Sequence, residues 1–140
     1  MVGARRPSEH PIGLTGLSHF SVAVADHRAA LNFYRNALDA ETVVEEERRS
    51  IAARVTRLRL ADSRIDLMSR LGTAGPINDH LYRYGDGVRS VVFGVTDLDR
   101  AATQLSAWGC PIQSGDDDET LAIAPEWNCG VMMELTAGQG

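Results

Sequence analysis

The stretch Gly16–Leu38, GLSHFSVAVADHRAALNFYRNAL, decides the fold, because a diverged copy of it follows at Gly87–Leu105, GVRSVVFGVTDLDRAATQL. At an offset of 71 positions, Asp26 of the first copy matches an aspartate in the second, whereas His19 falls on Ser90. Self-similarity at a fixed offset is the sequence signature of a duplicated unit. The chain therefore predicts two related units, of which only the first carries a metal-capable histidine at this position.

The first copy combines a strand pattern with a helix pattern. Residues 17–24 alternate between two sides, and His19 lies on one of them. Asp26 is placed to cap a helix over 27–38, and His27 in the first turn is expected to be exposed. A set of apolar residues at helical spacing predicts the helix face that packs on a sheet: Ala30, Leu31, Phe33, Tyr34, Ala37 and Leu38.

Three more strand patterns complete the first unit. They begin at Val43 and cover 51–60 and 64–68, with short polar turns between them. Glu45–Arg49 is predicted to be a solvated hairpin tip. The resulting order, βαβββ, is repeated in the second unit and predicts an α+β protein with a mixed sheet.

The same patterns predict the organisation of the whole chain. It comprises a flexible leader (1–13), a first βαβββ module (14–71), a linker with a short helical piece (72–86), a second βαβββ module (87–136) and a tail (137–140).

Composition narrows the class of protein. The chain has 140 residues, of which 44% are hydrophobic and 24% charged, which is typical of a soluble globular protein. Its net charge of −5 argues against nucleic acid as a partner, because binding to phosphates needs clustered cations. No apolar run approaches the roughly 18 residues of a membrane span, so no membrane partner is expected. All 14 basic residues are Arg, which excludes Schiff-base chemistry on lysine.

The cysteines and the N-terminus indicate the compartment. Cys110 and Cys129 lack CxxC spacing and are interpreted as two small buried residues of a cytoplasmic protein. The N-terminal residues include arginines but no following apolar segment, so they do not predict a secretion signal.

A second repeat match carries the chemistry. At an offset of 68 positions, Ile65-Asp66-Leu67 falls on Met133-Glu134-Leu135, so each unit ends with a carboxylate inside an apolar strand. A buried carboxylate needs a partner. The pattern leaves two alternatives open: an Arg or backbone donor, or a cation shared with the first strands of both units.

The whole arrangement from Leu14 to Thr136 resembles the vicinal oxygen chelate superfamily, which includes glyoxalase I, extradiol dioxygenases and bleomycin-resistance proteins. The segments IDLMSRL (65–71) and GDGVRSVVFGV (85–95) are most similar to the methylmalonyl-CoA epimerase branch. The resemblance implies a cup-shaped mixed sheet built from two βαβββ modules, and a homodimer.

The resemblance also implies a divalent metal held by four residues, which correspond here to His19, Asp66, Ser90 and Glu134. Ser90 replaces a histidine and is a poor ligand. The remaining His19, Asp66 and Glu134 suit Fe, Mn, Co, Ni or Zn.

The position of a catalytic base also departs from the family pattern. Epimerisation next to a thioester needs two bases, one on each face of the enolate. In the resembling branch one base is a glutamate on the strand predicted at 51–60, where Val55 stands here. A second base would have to come from outside this position, with four candidates: Glu45, Glu46, Glu47 and His80. The standard methylmalonyl-CoA epimerase reaction is therefore not expected.

Two classes of function follow. The first is an isomerase or lyase that acts by enolate-type proton transfer on a small carbonyl or acyl-thioester substrate, with Glu134, Asp66 and His19 as catalytic groups. These groups would act either at a metal or as metal-free acids and bases. The second is a non-catalytic protein that binds or sequesters a small molecule, as the bleomycin-resistance relatives do.

Overall fold

A computed structural model of the chain describes residues 10–117 and 119–137. Over these residues the chain forms eight strands and three helices, which confirms the α+β class and two successive βαβββ runs. Their bounds are β1 (Leu14–Ala23), α1 (His27–Leu38), β2 (Glu41–Arg48), β3 (Ala53–Leu60), β4 (Ser63–Arg70), α2 (Pro76–Tyr84), β5 (Gly87–Val95), α3 (Leu98–Ala107), β6 (Ile112–Ser114), β7 (Thr120–Ile123) and β8 (Met132–Thr136). None of the described helices is long and apolar enough to cross a membrane.

The contacts within the chain divide it into two compact units. The central unit is His19–Ser90, and the terminal unit is formed by the residues that precede and follow it. The boundaries of the two βαβββ modules, 14–71 and 87–136, remain a prediction.

The sheet of the central unit has the strand order β2-β3-β4-β1. β2, β3 and β4 are antiparallel neighbours, whereas β1 pairs in parallel with β4. In that parallel register Ser21 lies beside Asp66, and across the β3–β4 pair Arg57 lies beside Asp66. Because side chains alternate along a strand, His19, Ser21 and Asp66 share one face of this sheet.

Each face of the central sheet has its own apolar core. On the face that carries His19, the core is formed by Ile77 and Leu81 of α2 and by Ile51 of the turn between β2 and β3. They pack with four residues of the sheet: Ala23, Ala53, Val55 and Met68. The predicted linker thus includes a helix whose Ile77 is fully buried. On the opposite face Val24, Leu58 and Leu67 pack against α1 through Ala30, Leu31 and Tyr34.

Helix α1 begins where the sequence predicts, because the Asp26 carboxylate accepts a hydrogen bond from the Ala29 amide at 3.0 Å. Its buried face is narrower than predicted. Phe33 is 59% exposed, Leu38 is 48% exposed and Ala37 is also exposed, because only one stripe of a helix can contact a sheet. The prediction that these three residues pack on the sheet was wrong.

Two further predictions in the central unit were wrong. His27 is buried rather than exposed, because the first turn of α1 lies against the sheet, where the imidazole contacts Thr56 and Ser69. The segment Glu45–Glu47 belongs to β2 rather than to a hairpin tip, since each glutamate is paired in register with β3. The chain reverses instead at a 3₁₀ turn, Arg49–Ile51.

The sheet of the terminal unit has the strand order β5-β8-β7-β6, with β6, β7 and β8 antiparallel. Asp97 caps α3 by accepting from the amides of Asp99 and Arg100, as the repeat with Asp26 predicts. Six buried residues form the core of this unit: Val95, Ala101, Leu105, Cys110, Ile123 and Leu135. Cys110 is buried as predicted, whereas Cys129 is exposed on a left-handed turn, so its predicted burial was wrong.

The ends of the chain are described only in part. Residues 10–13 of the predicted leader are hydrogen bonded in the terminal unit, where the Thr96 amide donates to the Gly13 carbonyl at 2.9 Å. Residues 1–9 of the leader and 138–140 of the predicted tail lie outside the described residues, as does Asp118.

Candidate functional site

The structure brings two of the predicted site residues together on one face of the central sheet. His19 Nε2 lies 3.6 Å from Asp66 Oδ2. Both side chains are buried, with 8% of His19 and 1% of Asp66 exposed. The parallel pairing of β1 with β4 produces this contact, because it sets Asp66 beside Ser21, two residues along from His19.

Two arginines bind the same carboxylate. Arg64 donates from Nε to Asp66 Oδ1 at 3.0 Å and from Nη2 to Oδ2 at 2.8 Å, which is a bidentate ion pair. Arg57 Nε lies 3.7 Å from Asp66 Oδ1. Of the two alternatives that the sequence left open, the structure therefore shows an arginine partner for Asp66. We refer to His19, Asp66, Arg57 and Arg64 as the arginine cluster.

His19 is neutral at pH 7. Its pKa is lowered from the ordinary 6.5 to about 4, mainly because burial penalises the charged imidazole. The carboxylate of Asp66 opposes this shift, and three cations add to it: Arg64, Arg57 and Arg48. The contact between His19 and Asp66 is thus one between a neutral ring and an anion rather than a salt bridge.

Ser90, at the position where the family pattern has a histidine, is engaged with another serine. Its Oγ lies 2.5 Å from Ser21 Oγ, and both side chains are almost completely buried. The hydroxyl of Ser90 thus completes a short hydrogen bond within the central unit.

Glu134, the third predicted site residue, lies in the terminal unit and is 2% exposed. Its Oε1 accepts a hydrogen bond from the Asp116 amide at 2.5 Å. Thr120 Oγ1 lies 3.3 Å from the same oxygen and makes its shorter hydrogen bond, of 2.9 Å, to the Asp117 carbonyl. The backbone passes so close at Gly115 that a Cβ there would collide with Glu134 Oε1 and Thr120 Oγ1. The loop before β7 therefore forms a close-fitting cradle around this carboxylate.

The donors of the central unit do not fit a divalent cation. Both oxygens of Asp66 are bound by the Arg64 guanidinium, and a second guanidinium lies nearby, so a metal at this carboxylate would face two fixed positive charges. Among residues 10–117 and 119–137, no group of three or more His, Cys, Asp or Glu side chains is gathered as metal ligands. The role of Glu134 as a metal ligand remains a prediction.

The candidates for a second base lie elsewhere. Val55, at the position the resemblance gives to a catalytic glutamate, is 2% exposed within the apolar core beneath α2. Glu45 and Glu47 line an open cavity of about 800 Å³ near His27, on the face of the sheet opposite Asp66. His80, on α2, packs against the Tyr84 ring. Glu46 alone among the three glutamates shares the sheet face of Asp66, and it pairs with Arg48.

The sequence did not single out Arg57, Arg64 or Ser21 as site residues. One signal for Arg64 was present, because it stands two residues before Asp66 on a strand and must share its face. Arg57 could be found only from the β3–β4 register, which the strand patterns alone do not give.

The comparisons with known proteins establish the family. The model of the Glyoxalase/Bleomycin resistance protein/Dioxygenase superfamily matches residues 16–123, and the chain belongs to this superfamily. The resemblance drawn from the repeat is confirmed.

Several of the similar proteins are methylmalonyl-CoA epimerases, the branch to which the sequence resemblance points. The ethylmalonyl-CoA/methylmalonyl-CoA epimerase of Cereibacter sphaeroides is 29% identical over 127 residues, which cover 85% of this chain and 95% of that protein. The crystal structure of methylmalonyl-CoA epimerase from Mycobacterium tuberculosis has a TM-score of 0.81 and 26% identity, covering 97% of this chain and 91% of that one. A Streptomyces coelicolor methylmalonyl-CoA epimerase variant, solved with 2-nitronate-propionyl-CoA, matches with a TM-score of 0.78 and 24% identity over 87% and 96% of the two chains, and shows a shared fold.

Proposed function

We propose that the protein is an isomerase or lyase that moves a proton at the carbon next to the carbonyl of a small acyl-thioester or ketone. The observation that carries this proposal is the arginine cluster, in which an anionic carboxylate, a neutral imidazole and two guanidinium groups meet on one buried sheet face. The likeness to acyl-CoA epimerases supports a thioester as the substrate class.

The reaction needs a proton acceptor and positive charge near the carbonyl oxygen. When the C–H bond breaks, its proton passes to a base and its electron pair moves to the oxygen, which becomes an enolate. Following the resemblance, we propose His19, Asp66 and Glu134 as the acid–base groups. Glu134 is the favoured base, because both oxygens of Asp66 are bound by the Arg64 guanidinium and burial lowers the pKa of His19 to about 4.

The structure favours a reaction with one base over a two-base epimerisation. Val55 lies in an apolar core and cannot carry a proton, while Glu45 and Glu47 lie on the other face of the central sheet. A single base can remove the α-proton and return it to a neighbouring carbon of the same enolate, which isomerises the substrate. Alternatively, it can remove the α-proton while the C–H electron pair forms a double bond and the neighbouring group leaves with its own bonding pair. We therefore propose an isomerase or lyase rather than the standard methylmalonyl-CoA epimerase.

Solvent exchange and product detection together test this proposal. The protein is incubated in D₂O with simple ketones and with methylmalonyl-CoA and ethylmalonyl-CoA, the thioesters in the name of a relative. Deuterium at the α-carbon and any elimination product are measured by mass spectrometry. We expect exchange with at least one thioester, reduced by a factor of about 100 or more in Asp66→Asn and Glu134→Gln. Asp62→Asn, at an exposed turn, is the matched control and should exchange like wild type.

A second function, sequestration of a small molecule without turnover, is favoured by one observation. Asp66 and Ser90 are both occupied by partners within the central unit, so the chemistry expected of this face is partly replaced by structural contacts. A ligand that raises the melting temperature but acquires no deuterium would select this function. Complete absence of both deuterium exchange and elimination products from every thioester and ketone would overturn the enzyme proposal.

A further inference from the structure

The arginine cluster carries a net positive charge. Arg57 and Arg64 contribute two cations against the single carboxylate of Asp66. That carboxylate is buried, with 2% of the Asp66 side chain exposed, and the Arg64 side chain that binds it is 16% exposed. A desolvated positive charge attracts an anion more strongly than one in water does.

One donor in the cluster lacks a partner. Arg57 Nε is buried and makes no hydrogen bond, since the nearest carboxylate oxygen, Asp66 Oδ1, is 3.7 Å away. A buried donor without a partner costs free energy, on the order of 1–3 kcal/mol, that a ligand can recover. Nε is buried, but the Arg57 side chain as a whole is 33% exposed, so part of this side chain is in contact with solvent.

We propose that Arg57, supported by the Arg64–Asp66 ion pair, forms an anion-binding site that takes a carboxylate or an enolate oxygen in place of a divalent metal. Arg64 neutralises Asp66 and holds it in position, which leaves the charge of Arg57 available to a ligand. A guanidinium suits this task because it stays charged and offers several N–H donors in one plane. This inference deepens the proposed function, since the same oxygen would develop charge during proton transfer.

Binding of a simple dicarboxylate tests the site without any turnover. The full-length protein is titrated with sodium malonate, with sodium chloride at equal ionic strength as the reference, and the melting temperature and dissociation constant are measured. We expect malonate to raise the melting temperature above the chloride reference. Arg57→Gln should weaken malonate binding by about tenfold or more, and Arg57→Lys should recover part of the loss.

The matched control is Arg59→Gln. Arg59 is two residues along β3 from Arg57, but it is 56% exposed and pairs with Glu41, so its replacement should leave malonate binding within about twofold of wild type. Circular dichroism of all variants checks that they are folded.

Metal analysis supplies the opposing result. Protein purified without a metal-affinity tag is analysed for bound metals and then titrated with Mn²⁺, Co²⁺ and Zn²⁺. We expect neither one equivalent of metal nor a rise in melting temperature. One equivalent of tightly bound metal that is lost in His19→Ala would overturn the inference, as would malonate binding unchanged in Arg57→Gln.

The two proposals fail in different ways. Malonate binding that depends on Arg57, without deuterium exchange into any substrate, supports the anion site and refutes the enzyme. Deuterium exchange that requires added metal supports the enzyme and refutes the anion site.

Discussion

Two buried carboxylates at equivalent positions of the repeat are held by opposite kinds of partner. In the central unit Asp66 is bound by the Arg64 guanidinium, with a second guanidinium from Arg57 nearby. In the terminal unit Glu134 accepts a hydrogen bond from the Asp116 backbone amide at 2.5 Å, and the Thr120 hydroxyl lies 3.3 Å away. An ion pair brings a full opposite charge to a carboxylate, whereas a backbone amide brings only a dipole. The two matching positions of the repeated sequence pattern thus both carry a buried carboxylate, but a guanidinium binds one and a backbone amide binds the other.

The largest expected effect on stability comes from removing Arg64, the bidentate partner of Asp66. In Arg64→Leu, Asp66 stays buried without its bidentate partner, and we expect the free energy of unfolding to fall by about 3–5 kcal/mol. Urea denaturation measures this loss. Adding Asp66→Asn to Arg64→Leu should recover part of it, because the buried charge that lost its bidentate partner is then gone. The exposed Arg59→Leu should change stability little, and an equal loss in that variant would contradict the contrast.

Low pH should destabilise the central unit, because His19, next to Asp66, has a lowered pKa in the folded protein. The pKa of His19 is about 4 in the folded protein and 6.5 without its environment, so below pH 6.5 the unfolded chain binds a proton that the folded chain does not. Stability is therefore lost as the pH falls from 6.5 towards 4, by up to about 1.4 kcal/mol per pH unit from this group. Unfolding measured at pH 7, 6, 5 and 4 should show a shallower decline in His19→Gln than in wild type. Parallel pH profiles for the two proteins would refute this.

The fold was predictable because its signals are local and occur twice. The alternation of side chains around His19, the helical spacing after Asp26 and the carboxylate in each closing strand can all be recognised in a single sequence. Because related patterns occur in both halves of the chain, each half supports the interpretation of the other. The partners of Asp66 were less predictable, because Arg57 reaches it only through the β3–β4 register. The burial of His27 was missed because it depends on which hydroxyls the sheet presents to the first turn of α1.

A third prediction breaks the other side of the comparison, the cradle of Glu134. A Cβ at position 115 would collide with Glu134 Oε1 and Thr120 Oγ1, so Gly115→Ala must displace the carboxylate or the loop. We expect a loss of about 1–3 kcal/mol in the free energy of unfolding, the usual cost of overpacking. Gly72→Ala is the matched control, because no atom lies within 4 Å of its added Cβ. Its stability should be unchanged or slightly raised, and an equal loss in both variants would mean that the Glu134 cradle is not the cause.

The smallest expected effect concerns a single hydroxyl of the cradle. Thr120 Oγ1 donates to the Asp117 carbonyl at 2.9 Å, accepts from the Asp117 amide at 3.2 Å and lies 3.3 Å from Glu134 Oε1, so Thr120→Val removes neutral hydrogen bonds while keeping the shape of the side chain. We expect a loss of about 1 kcal/mol in the free energy of unfolding, with recovery in Thr120→Ser, which restores the hydroxyl. The Asp116 amide still donates to Glu134 in this variant, so the loss should be smaller than the loss caused by removing the bidentate partner of Asp66. A loss in Thr120→Val as large as that in Arg64→Leu would reverse the comparison, since it would make Glu134 the carboxylate that depends on one partner.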